Sequence, residues 1–151
     1  MIRTMMIGAA AFASIACATG ASAKIYKDYT PEKGMWEISA IEVDPNHIDD
    51  YLTGLRKSEF PGFEIMKRHG IIDAYHLVVR TGYNKGAPNV LIMTHYTSVA
   101  MLAPDQARDT MIENEITATF SEEAGKVAVA GYEKYRQFVD DGLWTEMTMA
   151  K

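Results

Sequence analysis

The first clear pattern along the chain is an alternation of apolar and polar side chains over residues 36–43 (WEISAIEV), which has the period of a half-buried β-strand. Asp44 and Pro45 follow it directly. An aspartate side chain accepts hydrogen bonds from the free amides at a helix start, and proline at the first helical position gives up no needed donor. The next apolar residues recur at helical spacing and form one stripe: Ile48, Tyr51, Leu52 and Leu55. The pattern predicts a strand followed at once by a core-facing helix.

The middle of the chain predicts a β-hairpin. A short helical piece is expected over residues 63–69, before two segments rich in β-branched and aromatic residues, 71–80 (IIDAYHLVVR) and 89–96 (NVLIMTHY). The intervening residues 81–88 contain two glycines, an asparagine and a proline, which favour a loop. The two strands are therefore expected to pair across a long connection.

Helical spacing returns after Pro104. The apolar residues of the first helix there are Met111, Ile112 and Ile116. A second helix is predicted to begin at Ser121 and to continue to Gly142. The apolar positions near its end are Tyr135, Phe138 and Val139. Residues 143–149 (LWTEMTM) alternate again and predict a final strand.

The order strand, helix, strand, strand, helix, strand is the split βαβ arrangement, in which a four-stranded antiparallel sheet carries its helices on one face. The predicted fold class is therefore α+β, with a ferredoxin-like domain. Each strand has residues suited to burial on both sides, so the second face would expose an apolar patch on the order of several hundred Å². Something must therefore cover that face.

Three segments carry a resemblance to a known superfamily: residues 41–55 (IEVDPNHIDDYLTGL), 69–82 (HGIIDAYHLVVRTG) and 89–102 (NVLIMTHYTSVAML). The sequence resembles the dimeric α/β-barrel superfamily, in which two ferredoxin-like subunits enclose a cavity, and more narrowly its uncharacterised exported bacterial members. Characterised relatives include cofactor-independent quinone-forming monooxygenases, haem-degrading or haem-binding enzymes, and lactone isomerases. The resemblance implies the fold and a homodimer, in which a second copy of the chain packs sheet to sheet over that face. Since no motif assigns one of these activities, no catalytic residue is carried over.

The first 23 residues (MIRTMMIGAAAFASIACATGASA) have the pattern of a secretory signal peptide: Arg3, an apolar run, and small residues on both sides of Ser22. Cleavage is expected after Ala23, which would place the mature protein in the periplasm or outside the cell. The apolar run is shorter than the roughly 20 residues that span a bilayer, so no stable membrane insertion is expected after cleavage.

The alternative for this segment is lipid attachment at Cys17, although Ser14 stands where such motifs have an aliphatic residue. The remaining chain divides into a polar N-terminal arm, residues 24–34, and one domain, residues 35–151.

Charge and cysteine content exclude several classes of partner. The chain carries 15 basic and 20 acidic residues, and removal of the signal takes away one of the basic residues and the only cysteine. The mature protein would then have no disulfide, no thiolate nucleophile and no cysteine-ligated metal. Its densest basic run is Lys67, Arg68 and His69. Nucleic acid and anionic membrane surfaces are therefore not expected as partners.

His76 and His95 are the candidate catalytic residues, because a polar side chain in mid-strand needs a buried partner or points into a cavity. In one register of the hairpin His76 lies opposite Met93 and His95 opposite Ala74, which puts both imidazoles on one face. A shift by one residue puts them on opposite faces, and the loop length allows either. On a shared face, one histidine could be a general base, a proton donor or an axial haem ligand. A structural, hydrogen-bonded histidine is the alternative.

Four further residues are candidate ligand-binding groups. Trp36, Tyr75 and Tyr96 offer flat apolar surfaces, and Arg80 at a strand end can bind a carboxylate. Plain core packing is the alternative for the aromatic residues. The sequence has no paired metal signature, P-loop, dinucleotide glycine motif or Ser-His-Asp order, so no metal and no cofactor is predicted. Haem stays open through the resemblance alone.

Three functions follow from these observations, and the sequence does not decide whether the protein is an enzyme. The preferred hypothesis is an exported protein that binds a small apolar or aromatic ligand in the barrel cavity, acting as a cofactor-independent monooxygenase or an isomerase. The alternatives are a non-catalytic envelope protein whose sheet face serves only for dimerisation, and a haem-binding protein.

Overall fold

The computed structural model describes residues 22–151. The body of the predicted signal peptide, with Cys17, falls on residues 1–21 and lies outside the described residues. The strands are β1 (Tyr29–Pro31), β2 (Met35–Val43), β3 (Ile72–Val79), β4 (Val90–Tyr96), β5 (Arg136–Trp144) and β6 (Met147–Met149). The α-helices are α1 (Ile48–Ser58), α2 (Phe60–Arg68), α3 (Gln106–Thr119) and α4 (Glu122–Tyr132). Short 3₁₀ helices lie at Pro45–His47, Val99–Leu102 and Glu133–Tyr135.

Strands β3, β4, β2 and β5 form, in that order, a four-stranded sheet in which each neighbouring pair is antiparallel. This confirms the predicted α+β class and its antiparallel sheet. The predicted helix start after β2 is also confirmed, because the Asp44 side chain accepts a hydrogen bond from the Asn46 amide at 2.9 Å. The sheet order places the two longest strands, β2 and β5, next to each other.

The core lies between the helices and one face of the sheet, which we call the helix face. One buried cluster joins β2 and β4 to α1 and α4, and a second joins β3 to α2 and α3. Their buried members are Ile41, Val43, Tyr51, Leu55, Val90 and Tyr132 in the first, and Ile65, Ile71, Ile72 and Ile112 in the second. Burying one such aliphatic side chain contributes about 1.5–3 kcal/mol, so these clusters hold the helices against the sheet.

The predicted helix from Ser121 to Gly142 is wrong in its second half. Helix α4 ends at Tyr132, and from Arg136 onward the chain is strand β5, which pairs with β2. Phe138 has helical spacing relative to α4, but its backbone belongs to the antiparallel ladder. The cause is tertiary, because without β5 the apolar strand β2 would be an unpaired sheet edge.

The predicted final strand, residues 143–149, is in fact two pieces. Its first two residues end β5, and its last three form β6, which pairs with β1 of the N-terminal arm in a separate two-stranded sheet. The Ala150 amide also donates to the Asp28 carbonyl at 2.9 Å. The arm and the end of the domain are therefore held together by backbone hydrogen bonds, a pairing between distant segments that local patterns do not reveal.

The hairpin of β3 and β4 adopts one of the two registers that the sequence allowed. His76 lies opposite Met93, and Ala74 lies opposite His95. The pairing is irregular between Ile72 and Ala74, where a β-bulge inserts Asp73. Both imidazoles consequently belong to the same face of the sheet.

Candidate functional site

Trp36, His76 and His95 lie together on the face of the sheet turned away from the helices, which we call the open face. Trp36 is paired directly with His95, and His76 with Met93, and directly paired residues project to the same side. The other large apolar side chains of the open face are Ile38, Val78, Leu91, Met93 and Trp144. The structure therefore brings three of the six predicted site residues together.

The other three predicted residues lie elsewhere. Tyr75 packs on the helix face, with its ring centroid 5.2 Å from that of Phe63, and its hydroxyl donates to Glu64 at 2.6 Å. Tyr96 packs on the same side against the second core cluster. Arg80 lies just beyond the end of β3 and is exposed. None of the three belongs to the open face.

Trp36 contacts both histidines. Its ring centroid is 4.8 Å from that of His95, with an interplanar angle of 47°, and 5.3 Å from that of His76, where the rings are stacked with an interplanar angle of 29°. Its indole Nε1 points to the Glu146 carboxylate at 3.4 Å, beyond the end of β5. The three rings form one aromatic cluster across β2, β4 and β3, which we call the aromatic floor.

His95 also contacts a carboxylate on the neighbouring strand. Its Nδ1 lies 2.6 Å from Oδ1 of Asp73, the bulged residue of β3. A carboxylate only accepts, so this contact places the ring proton of neutral His95 on Nδ1 and leaves the lone pair on Nε2. The His95 side chain is 17% exposed and that of Asp73 is 57% exposed. A histidine held in this way has the arrangement of a general base with its orienting carboxylate.

Gly34 leaves room for the free edge of His95. Its φ is +81°, and a Cβ at this position would lie 2.9 Å from both Nε2 and Cε1 of His95. It would also collide with the Tyr96 carbonyl oxygen. A glycine is required here twice over, by the left-handed backbone and by the close approach of the imidazole.

Sequence reasoning missed Asp73 and Gly34. Asp73 is the one charged residue between Ile71 and Arg80, which is a weak signal, but its contact with His95 depends on a bulge in β3. Gly34 belongs to the predicted arm, and its role depends on the side chain of His95, which lies 61 residues later in the chain.

A second candidate region is a cavity of about 260 Å³ on the helix face, between the sheet and the junction of α1 with α2. We call it the interlayer cavity. Its wall contains Glu37 and Thr94 from the sheet, Glu59 from the junction of α1 with α2, Phe63 from α2, and Arg136 from β5. Thr94 is buried, and charges of both signs face the same space.

One neighbour of this cavity is the phenol of Tyr96, which donates to Oε2 of Glu37 at 3.1 Å. Burial, followed by the charge of Glu37 and the hydrogen bond to it, raises the pKa of Tyr96 to about 12. The phenol is therefore protonated at neutral pH and holds the Glu37 carboxylate in place.

Comparisons with known proteins give little beyond this geometry. No protein-family model matches the chain, and no curated protein matches it. A solved structure with distant similarity is a NIPSNAP family protein of unknown function from Agrobacterium tumefaciens strain C58, with 14% sequence identity and a TM-score of 0.44. The match covers 78% of this chain and 89% of the other. At this distance it carries no functional conclusion.

Two further properties concern the described part of the chain, residues 22–151. No helix there is long and apolar enough to cross a membrane. Nor does that range contain three or more His, Cys, Asp or Glu side chains grouped closely enough to hold a metal ion.

Proposed function

We propose that the protein is an exported homodimer of ferredoxin-like subunits that binds a small apolar or aromatic ligand on the open face. In this proposal, the second copy packs sheet to sheet and encloses the ligand in a barrel cavity. The observation that carries the proposal is the Asp73–His95 pair beside the aromatic floor of Trp36. These groups combine an oriented base with a surface that suits a flat ligand.

The case for a second copy rests on the composition of the open face. Val78 is 44% exposed and Trp144 is 54% exposed, and they flank the aromatic floor on opposite edges of the sheet. Such a continuous apolar surface is more typical of an interface than of a solvated sheet face. In a two-fold dimer both subunits would contribute this same surface to the interface, as in isologous interfaces generally.

The chemistry supported by the pair is proton transfer. The Nε2 lone pair of His95 takes a proton from an acidic C–H or O–H of the ligand, and the Asp73 carboxylate stabilises the imidazolium that forms. In an isomerisation the same proton returns to another carbon, so no oxidant is consumed. A monooxygenase would use the same first step and would require dioxygen as the oxidant.

Native mass spectrometry of residues 24–151, purified from the periplasm, tests the assembly. We expect a dimer that retains a small ligand, and we expect His95→Ala to lose that ligand while remaining a dimer. A stable monomer would contradict our account of the open face. A dimer without a retained ligand in either variant would favour a purely structural role in the envelope.

A fluorescence titration tests the position of the ligand. The chain has two tryptophans, so Trp144→Phe leaves Trp36 as the only one. Adding 1-naphthol as a flat, weakly acidic probe should quench Trp36 in this variant, and His95→Ala in the same background should weaken the quenching. Adding haem to the same protein tests the haem-binding alternative. A Soret shift that depends on His95 would indicate that this histidine is an axial haem ligand instead.

A further inference from the structure

Three charged side chains in the wall of the interlayer cavity have no ion-pair partner among the described residues. Glu37, Glu59 and Arg136 all line it, and all three side chains belong to partly buried residues. Within residues 22–151, none of the three has an oppositely charged group within 4.0 Å. Half-buried charges that face one space without pairing are costly unless something placed between them completes the interaction.

Arg136 is held in position by aromatic rings and not by a carboxylate. Its guanidinium carbon lies 5.2 Å from the ring centroid of Tyr132 and 4.8 Å from that of Phe138. Stacking of this kind occupies the faces of the guanidinium and leaves its N–H edge for an acceptor. The cavity therefore presents a preorganised anion-binding group.

Tyr51 packs beside Arg136 without belonging to the cavity wall. Its hydroxyl is fully buried, and by distance and angle it has no hydrogen-bond partner among the described residues. Burial raises the pKa of Tyr51, while the adjacent Arg136, as a side-chain donor and as a positive charge, lowers it. The Tyr51 hydroxyl therefore lies close to the guanidinium of Arg136.

The two carboxylates of the wall are held by hydroxyl groups. Glu37 accepts from Tyr96, and Glu59 lies 3.4 Å from the Tyr132 hydroxyl, which itself contacts Ser58 at 2.7 Å. These contacts orient the two carboxylates without neutralising them. The apolar part of the wall consists of Leu55, Phe63, Ile92 and Phe138, and Ser39 and Thr94 add hydroxyl groups.

We propose that the interlayer cavity binds a small zwitterion with an apolar side chain, of the apolar α-amino acid class. Its carboxylate pairs with Arg136, its ammonium group lies between Glu37 and Glu59, and its side chain packs on the apolar wall. The volume of about 260 Å³ lies below the roughly 300 Å³ at which drug-sized ligand sites begin. The site is separate from the open face and does not depend on the function proposed there.

Isothermal titration with L-leucine, L-valine and L-phenylalanine tests the proposal on the wild-type protein. Two analogues of leucine serve as matched controls: 4-methylpentanoate lacks the ammonium group, and 3-methylbutylamine lacks the carboxylate. We expect at least one of the amino acids to bind, and either leucine analogue to bind about tenfold or more weakly than leucine, because each loses a charge-assisted hydrogen bond. Equal affinity for leucine and both analogues, or no binding of any amino acid at millimolar concentration, would overturn the proposal.

Variants then assign the charges. Arg136→Gln and Glu59→Gln should each weaken binding about tenfold or more, whereas Lys134→Gln, which removes a nearby exposed cation outside the cavity wall, should not. Circular dichroism checks that each variant is folded.

Methyl NMR locates the site without any variant. Leucine should shift the methyl signals of Leu55 and Ile92 and leave those of Val78 and Leu91 on the open face unchanged. Shifts confined to the open face would overturn this assignment while leaving the proposed function intact. Unchanged methyl signals throughout would mean that the cavity holds only water.

Discussion

Asp73 and His95 are 22 residues apart in the chain and meet across adjacent strands, with Oδ1 of Asp73 2.6 Å from Nδ1 of His95. The contact exists because a bulge in β3 turns Asp73 toward the strand that carries His95. It fixes the tautomer of the imidazole and so decides which nitrogen can act on a ligand. The proposed acid–base chemistry depends on this pair more than on any other contact.

Asp73→Ala should remove the tautomer preference of His95. The tautomer can be measured from the ¹⁵N shifts of the imidazole at a pH of about 8.5, some two units above the usual histidine pKa of about 6.5. We expect His95 to carry its proton on Nδ1 in the wild type and to populate both tautomers in Asp73→Ala. Asp73→Asn retains an acceptor and should keep the wild-type tautomer, while His76 serves as an internal reference. An unchanged His95 pattern in Asp73→Ala would show that the carboxylate does not orient the ring.

Gly34→Ala should destabilise the protein more than an equivalent change at Gly82. Both glycines have positive φ, +81° and +87°, so alanine costs about 1–2 kcal/mol at either position. Only at Gly34 would the added Cβ also crowd His95 and the Tyr96 carbonyl. At Gly82 a Cβ would meet no described atom within 4 Å. Urea unfolding should therefore give a loss at least about 1 kcal/mol greater for Gly34→Ala. Equal losses would mean that the arm moves away from His95 freely.

Gly54 and Gly131 form a matched pair in the helices. A Cβ on Gly54 would overlap the Tyr132 ring, where α1 packs against α4. Among the described residues, nothing lies within 4 Å of a Cβ built on Gly131. Gly54→Ala should cost about 1–3 kcal/mol by overpacking. Gly131→Ala should gain up to about 1 kcal/mol from helix propensity. Thermal unfolding measures both, and a stabilised Gly54→Ala would contradict the close approach of the two helices.

Tyr51→Phe should stabilise the ligand-free protein, because it removes a buried hydroxyl that has no hydrogen-bond partner within residues 22–151. The expected gain in unfolding free energy is about 1 kcal/mol. Tyr132→Phe is the control and should lose about 1 kcal/mol, since its hydroxyl contacts Ser58 at 2.7 Å. If Tyr51→Phe is destabilising instead, the Tyr51 hydroxyl has a hydrogen-bond partner, and the adjacent Arg136 guanidinium is the donor that could supply it.

Glu115 should make stability depend on pH in the acid range. The hydrogen bond from His69, aided by the charges of Arg68 and His69, holds the pKa of Glu115 below its usual value of 4.5. A carboxyl with a depressed folded-state pKa contributes stability above its unfolded pKa, and that contribution is lost as pH falls through the folded pKa.

The free energies of unfolding of the wild type and Glu115→Gln should therefore differ above a pH of about 5 and converge as the solution is acidified below 4.5. Glu113→Gln, on the exposed side of the same helix, should follow the wild-type curve at every pH. A constant difference between wild type and Glu115→Gln down to low pH would contradict the assignment.

The sequence pattern was sufficient where structure is local. The strand over residues 36–43, the cap at Asp44 and the apolar stripe that includes Tyr51 and Leu55 all reappear in the structure. These features depend on side-chain spacing within one or two turns of chain, which a sequence states directly. The pattern failed at α4 and β5, because the backbone from Arg136 onward satisfies its hydrogen bonds with β2, nearly a hundred residues earlier.

The candidate site shows the same division. The sequence by itself determined which side chains can do chemistry, and it singled out Trp36, His76 and His95 as residues of predicted strands. Only the tertiary structure decided that these three share a face and that Asp73 orients His95. It also placed Arg136 and two carboxylates in the wall of one cavity. The physical reason is that strand register and bulges are fixed by pairing between distant segments, and a shift of one residue reverses every side chain.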